Sequence, residues 1–157
     1  MRILVFSDTH MQLEGCIQTI ENIIGVDMII HAGDHMSDAK NLSQIFPDIP
    51  VKYVAGNCDI SFSENELVTE IEGRRIFITH GHLYNVKNEN TYQTLKNKGT
   101  ELGCDIVVFG HTHIPYNENC GNIILLNPGS AKYTKTYGVI EIENNKLKSA
   151  VLDMNLR

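Results

Sequence analysis

The chain has 157 residues, 42% of them apolar and 20% charged, with a formal net charge of -6. That length holds one compact domain with a sizeable core, expected over the whole chain, residues 1–157. The acidic balance excludes a broad basic face for duplex nucleic acid, and no apolar stretch approaches the roughly 20 residues that cross a bilayer. No cleavage-site pattern follows the N-terminus, so a cytoplasmic location without membrane attachment is expected. Cys16, Cys58, Cys104 and Cys120 are scattered, which argues against a disulfide framework or a zinc knuckle.

Arg2–Ser7 is a short apolar run and predicts a first strand, which ends in Asp8-Thr9-His10. Leu13, Ile17, Ile20, Ile23 and Ile24 recur at helical spacing within Gln12–Gly25. Val26–His31 reads as a second strand running into Ala32-Gly33-Asp34, and Ser37–Phe46 as a short helix ended by Pro47 and Pro50. Val51–Val54 is a third strand, followed by Gly56-Asn57-Cys58-Asp59. Glu66–Ile71 and Arg75–Thr79 alternate around Glu72-Gly73 as a hairpin, whose second arm ends in Thr79-His80-Gly81-His82. Asn90–Gly103 predicts a helix, and Asp105–Phe109 a strand ending in Gly110-His111-Thr112-His113. Two more hairpins are expected, Tyr116–Asn119 with Asn122–Leu126, and Tyr137–Glu143 with Lys146–Met154. Strand-helix-strand units together with hairpins predict an α/β domain of two packed sheets with helices outside.

Five strand ends therefore carry ligand-type residues: Asp8 and His10, Asp34, Asn57, His80, then His111 and His113. In α/β folds, sites gather at the carboxyl ends of strands. Any one of these residues could simply be a cap or turn residue. Asp8 could cap the first helix, Asp34 the second, and Asn57 could occupy a turn of positive φ. Seven such residues at five successive strand ends, beside Gly33, Gly56, Gly81 and Gly110, point instead to metals. The set divides in two if Asp34 bridges, since a carboxylate has two oxygens to share. One ion would take Asp8, His10, Asp34 and His113; the other would take Asp34, Asn57, His80 and His111. Mixed nitrogen and oxygen donors suit manganese, iron, cobalt, nickel or zinc. Two such ions clamp a phosphoryl group and lower the pKa of a bridging water, whose hydroxide attacks phosphorus in line.

With these blocks the sequence resembles the calcineurin-like metallophosphoesterase superfamily. Its short length, Asn57-Cys58-Asp59 and Asn127-Pro128-Gly129-Ser130 are similar to the small YfcE-type phosphodiesterases. The resemblance implies a four-layer α/β/β/α sandwich of two mixed sheets, the metallophosphatase fold. It implies two divalent ions per chain, manganese foremost and nickel also common, and hydrolysis of a small phosphodiester, nucleotide-like substrates included. Asp34 and Asn57 would then be catalytic as well as metal-ligating. Many members carry His where this chain has Cys58, and a thiol is a poorer proton donor at pH 7 than an imidazolium. Cys58 is thus a catalytic position of altered chemistry, and His82 is the alternative proton donor or a residue that orients the loop. Asp59 is expected to orient a ligand or a turn, His31 to be core or to support a ligand, and His35 to be solvent-exposed. Asn127–Ser130 is expected to shape a loop near the site. Arg74-Arg75 and Lys132-Tyr133 could receive an anionic substrate, but read first as scattered surface charge. A phosphomonoesterase or nucleotidase, which usually adds cationic side chains beside the metals, is the second reading. A non-catalytic retromer-type scaffold is the third. Hairpin edges could pair subunits into a homodimer or tetramer.

Overall fold

A computed structural model describes residues 1–60 and 63–156 of the chain. The first sheet has the order β10-β9-β1-β2-β3. Its strands are β1 (Arg2–Phe6), β2 (Met28–His31), β3 (Val51–Tyr53), β9 (Thr136–Glu143) and β10 (Lys146–Asp153). The second has the order β4-β5-β6-β8-β7. It comprises β4 (Glu66–Ile71), β5 (Arg74–Thr79), β6 (Ile106–Val108), β7 (Tyr116–Asn119) and β8 (Ile124–Asn127). Both sheets are mixed. β1, β2 and β3 run parallel and β9 antiparallel to β1, while β5, β6 and β8 run parallel and β4 and β7 antiparallel to their neighbours.

Strand side chains alternate between faces, and here both faces are covered. Ile3 and Val5 of β1 join Ile30, Ile76, Ile78, Ile106, Val108 and Leu126 in a core between the sheets. Leu4 and Phe6 point the other way, against Cys16, Ile20 and Leu42. Those residues belong to helix α1 (Glu14–Asn22) and helix α2 (Met36–Ile45). Helix α3 (Gln93–Glu101) covers the outer face of the second sheet, with Leu95 packed near Phe77, Val107 and Phe109. The layers are therefore helix, sheet, sheet, helix, as expected. Double burial is why β1, β2 and β6 read as continuous apolar runs.

The strands match their predicted ranges to within a residue or two, α1 and α3 come out shorter, and α2 keeps its length but starts one residue earlier. Two starts are set by residues in the left-handed region. His35 (φ 62°) precedes α2, and Tyr92 (φ 54°) delays α3 to Gln93. The alternative in which Asp8 and Asp34 cap helices does not occur. The residue before α1 is Leu13 and that before α2 is His35, neither with a side-chain cap. Asp59 reaches across instead, accepting the Met36 N–H at 2.9 Å and the Gly56 N–H at 2.8 Å. Asn57 is not among the described residues of positive φ, so the turn explanation for it falls as well. The edges β10 and β7 are tied to each other, since Ser149 Oγ donates to Asn117 Oδ1 and Asn117 Nδ2 to the Ser149 carbonyl.

Candidate metal centre

The parallel strands β1, β2, β3, β5 and β6 deliver their following residues to one place. Asp8 and Asp34 are buried there, His10 and His113 half-buried, and His80 fully buried. Around Asp8 Oδ1 lie the Nε2 atoms of His113 at 3.1 Å, His80 at 3.8 Å and His10 at 3.9 Å. Asp34 Oδ1 is 3.3 Å from His80 Nε2, and Asp34 Oδ2 is 3.9 Å from His10 Nε2. Asn57 Oδ1 stands 3.0 Å from His80 Nε2. Two donor groups each close to within 4.8 Å: Asp8, His10 and His113, then Asp8, Asp34 and His80. The carboxylates thus straddle the two halves, Asp34 through its two oxygens and Asp8 through Oδ1. His111 places its ring 5.0 Å from that of His80, and its backbone N–H donates to Asp8 Oδ2 at 3.1 Å.

The donor chemistry fits cations. His80 Nδ1 lies 2.8 Å from the Ala32 carbonyl, a contact that requires the proton on Nδ1 and aims the other nitrogen at three oxygens. His10 Nε2 is buried without a hydrogen-bond partner. Burial lowers the pKa of His10 despite Asp34 and Asp8, and burial with His80 and Lys87 pushes His111 down to about 4. Both imidazoles therefore offer lone pairs at neutral pH. Burial opposes the charge on Asp34, but the His80 hydrogen bond and charge and the Cys58 N–H outweigh it, so its carboxyl sits well below the usual range. His80 is raised by the same pairing in spite of its own burial.

The backbone is contorted to achieve this. Asp8, His10, Met11, Asp34, His35, His111 and His113 all have positive φ, more than half of the thirteen such non-glycine residues among those described. Each such residue costs of order 1 kcal/mol, and clusters of them mark functional sites. Close approach also needs missing side chains. A Cβ on Gly110 would lie 2.0 Å from Ser7 Oγ and 2.7 Å from Asp8 Oδ2, and a Cβ on Gly33 would strike the His80 ring. Gly81 differs from expectation, since its neighbour is Val86 and no metal-ligand candidate.

Some supporting residues were not foreseen. Ser7 Oγ donates to Asp8 Oδ2 at 2.6 Å, and the buried Ser130 Oγ donates to the Asp8 carbonyl at 2.8 Å. Asn127 Nδ2 donates to the Gly110 carbonyl and Thr112 Oγ1, so Asn127–Ser130 does shape the loop before His113. Lys132-Tyr133 is no scattered charge. Tyr133 stacks on His113 with ring centroids 5.3 Å apart, and Lys132 Nζ stands 5.0 Å from the Tyr133 ring. Arg74 and Arg75 stand apart, bound to Asp105 at the far end of β5. His35 is half-buried, edge-on to His10 at 4.9 Å. His82 lies 5.5 Å from His80 by ring centroid and has a buried, unpartnered Nδ1. Cys58 is exposed, with its N–H on Asp34 Oδ1 and its Sγ 3.7 Å from Asn57 Nδ2.

His31 supports the first loop. The Gly33 N–H donates to its Nδ1, so the Nε2 proton points to Thr9 Oγ1, which donates to Asp38 Oδ2. Burial pushes His31 down to about 4, so folding favours the neutral ring. The unfolded chain then binds the proton more tightly, and stability present above about pH 6.5 is lost as pH falls toward 4. The loss is on the order of 3 kcal/mol. Denaturation of wild type and His31→Leu between pH 7 and 4 checks this: the wild-type curve should fall more steeply, and parallel curves would refute it.

Two mixed sheets under helices, with a cluster of carboxylate and imidazole donors at their strand ends, are the architecture of the calcineurin-like phosphoesterases. The calcineurin-like phosphoesterase superfamily domain matches residues 1–145, and the chain belongs to that family. It is 35% identical over 157 aligned residues to the probable metallophosphoesterase YsnB of Bacillus subtilis, covering 92% of this chain and 86% of that protein. Phosphodiesterase YfcE of Escherichia coli is 26% identical over 90% of this chain and 88% of its own. A crystal structure described as a predicted phosphoesterase from Streptococcus pneumoniae superposes with a TM-score of 0.77 at 29% identity, covering 98% of this chain and 90% of its own. Vps29 of Entamoeba histolytica reaches 0.75 at 22% identity, over 99% of this chain and 100% of its own, a likeness of fold alone. No helix among the described residues is long and apolar enough to cross a membrane.

Proposed function

We propose that this phosphoesterase is a phosphodiesterase working with two divalent ions, manganese first among them. The observation that carries the reading is the pair of donor groups joined through Asp8 and Asp34. Asp8, His10, Asp34 and His113 would hold one ion, and Asp34, Asn57, His80 and His111 the other. When bound, the ions supply Lewis acidity to the phosphoryl oxygens and a water acidic enough to act as nucleophile near neutral pH. Asp34 keeps its charge for this role across the physiological range, because its carboxyl is held low. Asn57 presents its carbonyl oxygen to the same space as His80 Nε2, and its amide nitrogen, 3.7 Å from Cys58 Sγ, keeps its second N–H for a substrate oxygen. His82 is lowered by burial and by His80, so its ring is neutral at pH 7 and acts there as a hydrogen-bond donor more readily than as a stored acid. The seven donor-type residues support this reading over a scaffold whose ligands have decayed. Two ammonium groups stand beside the centre, Lys132 over the Tyr133 ring on His113 and Lys87, whose charge reaches His111.

The test is a panel of bis(4-nitrophenyl) phosphate, 4-nitrophenyl phosphate and cyclic nucleotides after chelation and reloading with manganese, nickel, zinc, iron or cobalt. The diester should be preferred by about tenfold or more, with activity lost on chelation and restored by manganese. Preference for the monoester would establish the nucleotidase reading instead. Cys58 gives a second test. Burial and Asp34 raise its thiol, so it holds its proton at pH 7 and gives it up poorly. Cys58→His should then speed hydrolysis of diesters with poor leaving groups by about tenfold or more, and nitrophenyl esters far less. Equal effects on both would remove leaving-group protonation from this position.

A further inference from the structure

Ten large apolar side chains are exposed among the described residues; four of them stand on loops that carry the metal donors, and a fifth, Tyr133, stands on the loop between β8 and β9. Met11 is 77% exposed, Leu83 56%, Ile114 59% and Tyr133 59%, and Ile60 is fully exposed. Met11, Leu83 and Ile114 directly follow His10, His82 and His113, so their Cα atoms lie about 3.8 Å from those of the site residues. Ile60 comes three residues after Asn57. Tyr133 stacks on His113 and lies 5.7 Å from His10 by ring centroid. Exposed apolar groups on soluble proteins are normally scattered, and a group gathered on one face marks a ligand or partner site.

We propose that these five side chains form an apolar collar that receives the organic groups of the phosphodiester, so that the enzyme selects diesters bearing bulky aromatic or otherwise apolar groups. The inference rests on the phosphodiesterase reading above and adds the substrate class. Its basis is a match of pattern. A diester is one negative charge flanked by two organic groups, and the site is a polar centre flanked by apolar loops. The centre is itself open. His10, His111 and His113 are half-exposed, and Asn57 and Cys58 are exposed. A protein partner seated on the collar would close over these residues, whereas a small diester places its phosphate among them. Tyr133 is pre-positioned for contact, since His113 and Lys132 both hold its ring, and a contact fixed in advance loses little entropy on binding.

The experiment compares bis(4-nitrophenyl) phosphate with methyl 4-nitrophenyl phosphate, which share a leaving group and differ in the other ester. It is paired with calorimetric binding of diphenylphosphinate and dimethylphosphinate to the manganese-loaded protein, since their carbon–phosphorus bonds are not hydrolysed. The wild type should favour the aryl member of each pair by about tenfold or more. Met11→Ser, Leu83→Ser and Ile114→Ser, singly and combined, should shrink both ratios, the triple variant by about tenfold, with the change in the diester ratio carried by KM. Wild-type ratios near one, or ratios untouched in the variants, overturn the collar. So does a change of oligomeric state in the variants with the ratios intact, which would mark an interface between copies. Failure to hydrolyse either ester with any metal would overturn the phosphodiesterase reading, and the phosphinate pair would still decide the collar.

Discussion

Asp34→Asn is expected to keep the fold and abolish metal-supported activity. The substitution preserves shape, and Oδ1 still accepts the Cys58 N–H at 3.0 Å. The amide NH2 then faces His10 Nε2, now 3.9 Å from Asp34 Oδ2, and donates to the lone pair that a cation needs. The charge shared by both halves is lost at the same time. Removing a group that merely supports a metal ligand costs about 10–100-fold in affinity or activity, so removing a bridging ligand should cost more. Calorimetry and thermal melts read this without any assay. At a metal concentration of about 100 times Kd, wild type should gain roughly 2.7 kcal/mol. For a chain of this size that is a rise of about 5–10 °C in Tm. Asp34→Asn should gain almost nothing at the same concentration. A variant that melted higher with manganese and kept turning over a diester would remove Asp34 from the centre.

Gly56→Ala should have the next largest effect, for a purely steric reason. Gly56 does not have positive φ, so its backbone accepts Ala. The new Cβ would nevertheless lie 2.1 Å from Asp34 Oδ1 and 2.5 Å from the Asp34 backbone nitrogen. A backbone atom at the end of β2 cannot step aside as a flexible side chain would. Overpacking of this kind costs about 1–3 kcal/mol, and the displaced carboxylate should weaken metal binding on the order of 100-fold. Gly15→Ala is the control. It lies in α1, its Cβ meets the sulfur of Met154 at 3.1 Å, and the helix gains by the exchange. Chemical denaturation and metal titration of the two variants should therefore diverge. Similar behaviour would show that the site tolerates movement of Asp34.

The sequence made the strand ends readable because burial on both faces turns β1, β2 and β6 into unbroken apolar runs. A polar residue that follows such a run stands out, as Asp8, Asp34, His80 and His111 do. Helix starts were less readable. Tyr92 and His35 sit in the left-handed region, a conformation that no residue type announces. Ser130 was placed on a loop near the site, but the bond it makes there was not readable. Its bond to the Asp8 carbonyl spans 122 residues and comes from the loop between β8 and β9 meeting the end of β1, where the Ala131 N–H also donates to the Ser7 carbonyl and β9 pairs with β1. Lys132-Tyr133 looked like surface charge because its partner His113 comes from a different strand end. Asp59 pointed the right way by residue type, and its bond to the Gly56 N–H is local, yet its second partner, the Met36 N–H at the start of α2, lies 23 residues away and follows from no local spacing.

The donors also come from far apart along the chain. His113 meets Asp8 across 105 residues, and the two belong to different sheets. Contacts of such long range form late, after the entropy of closing the intervening chain has been met by other interactions. A cation held there acts as a clasp fastened once the sheets have docked. It should slow the opening of the native protein and leave the rate of its formation almost unchanged. The same ions that serve the chemistry would then set how long a molecule survives between unfolding events.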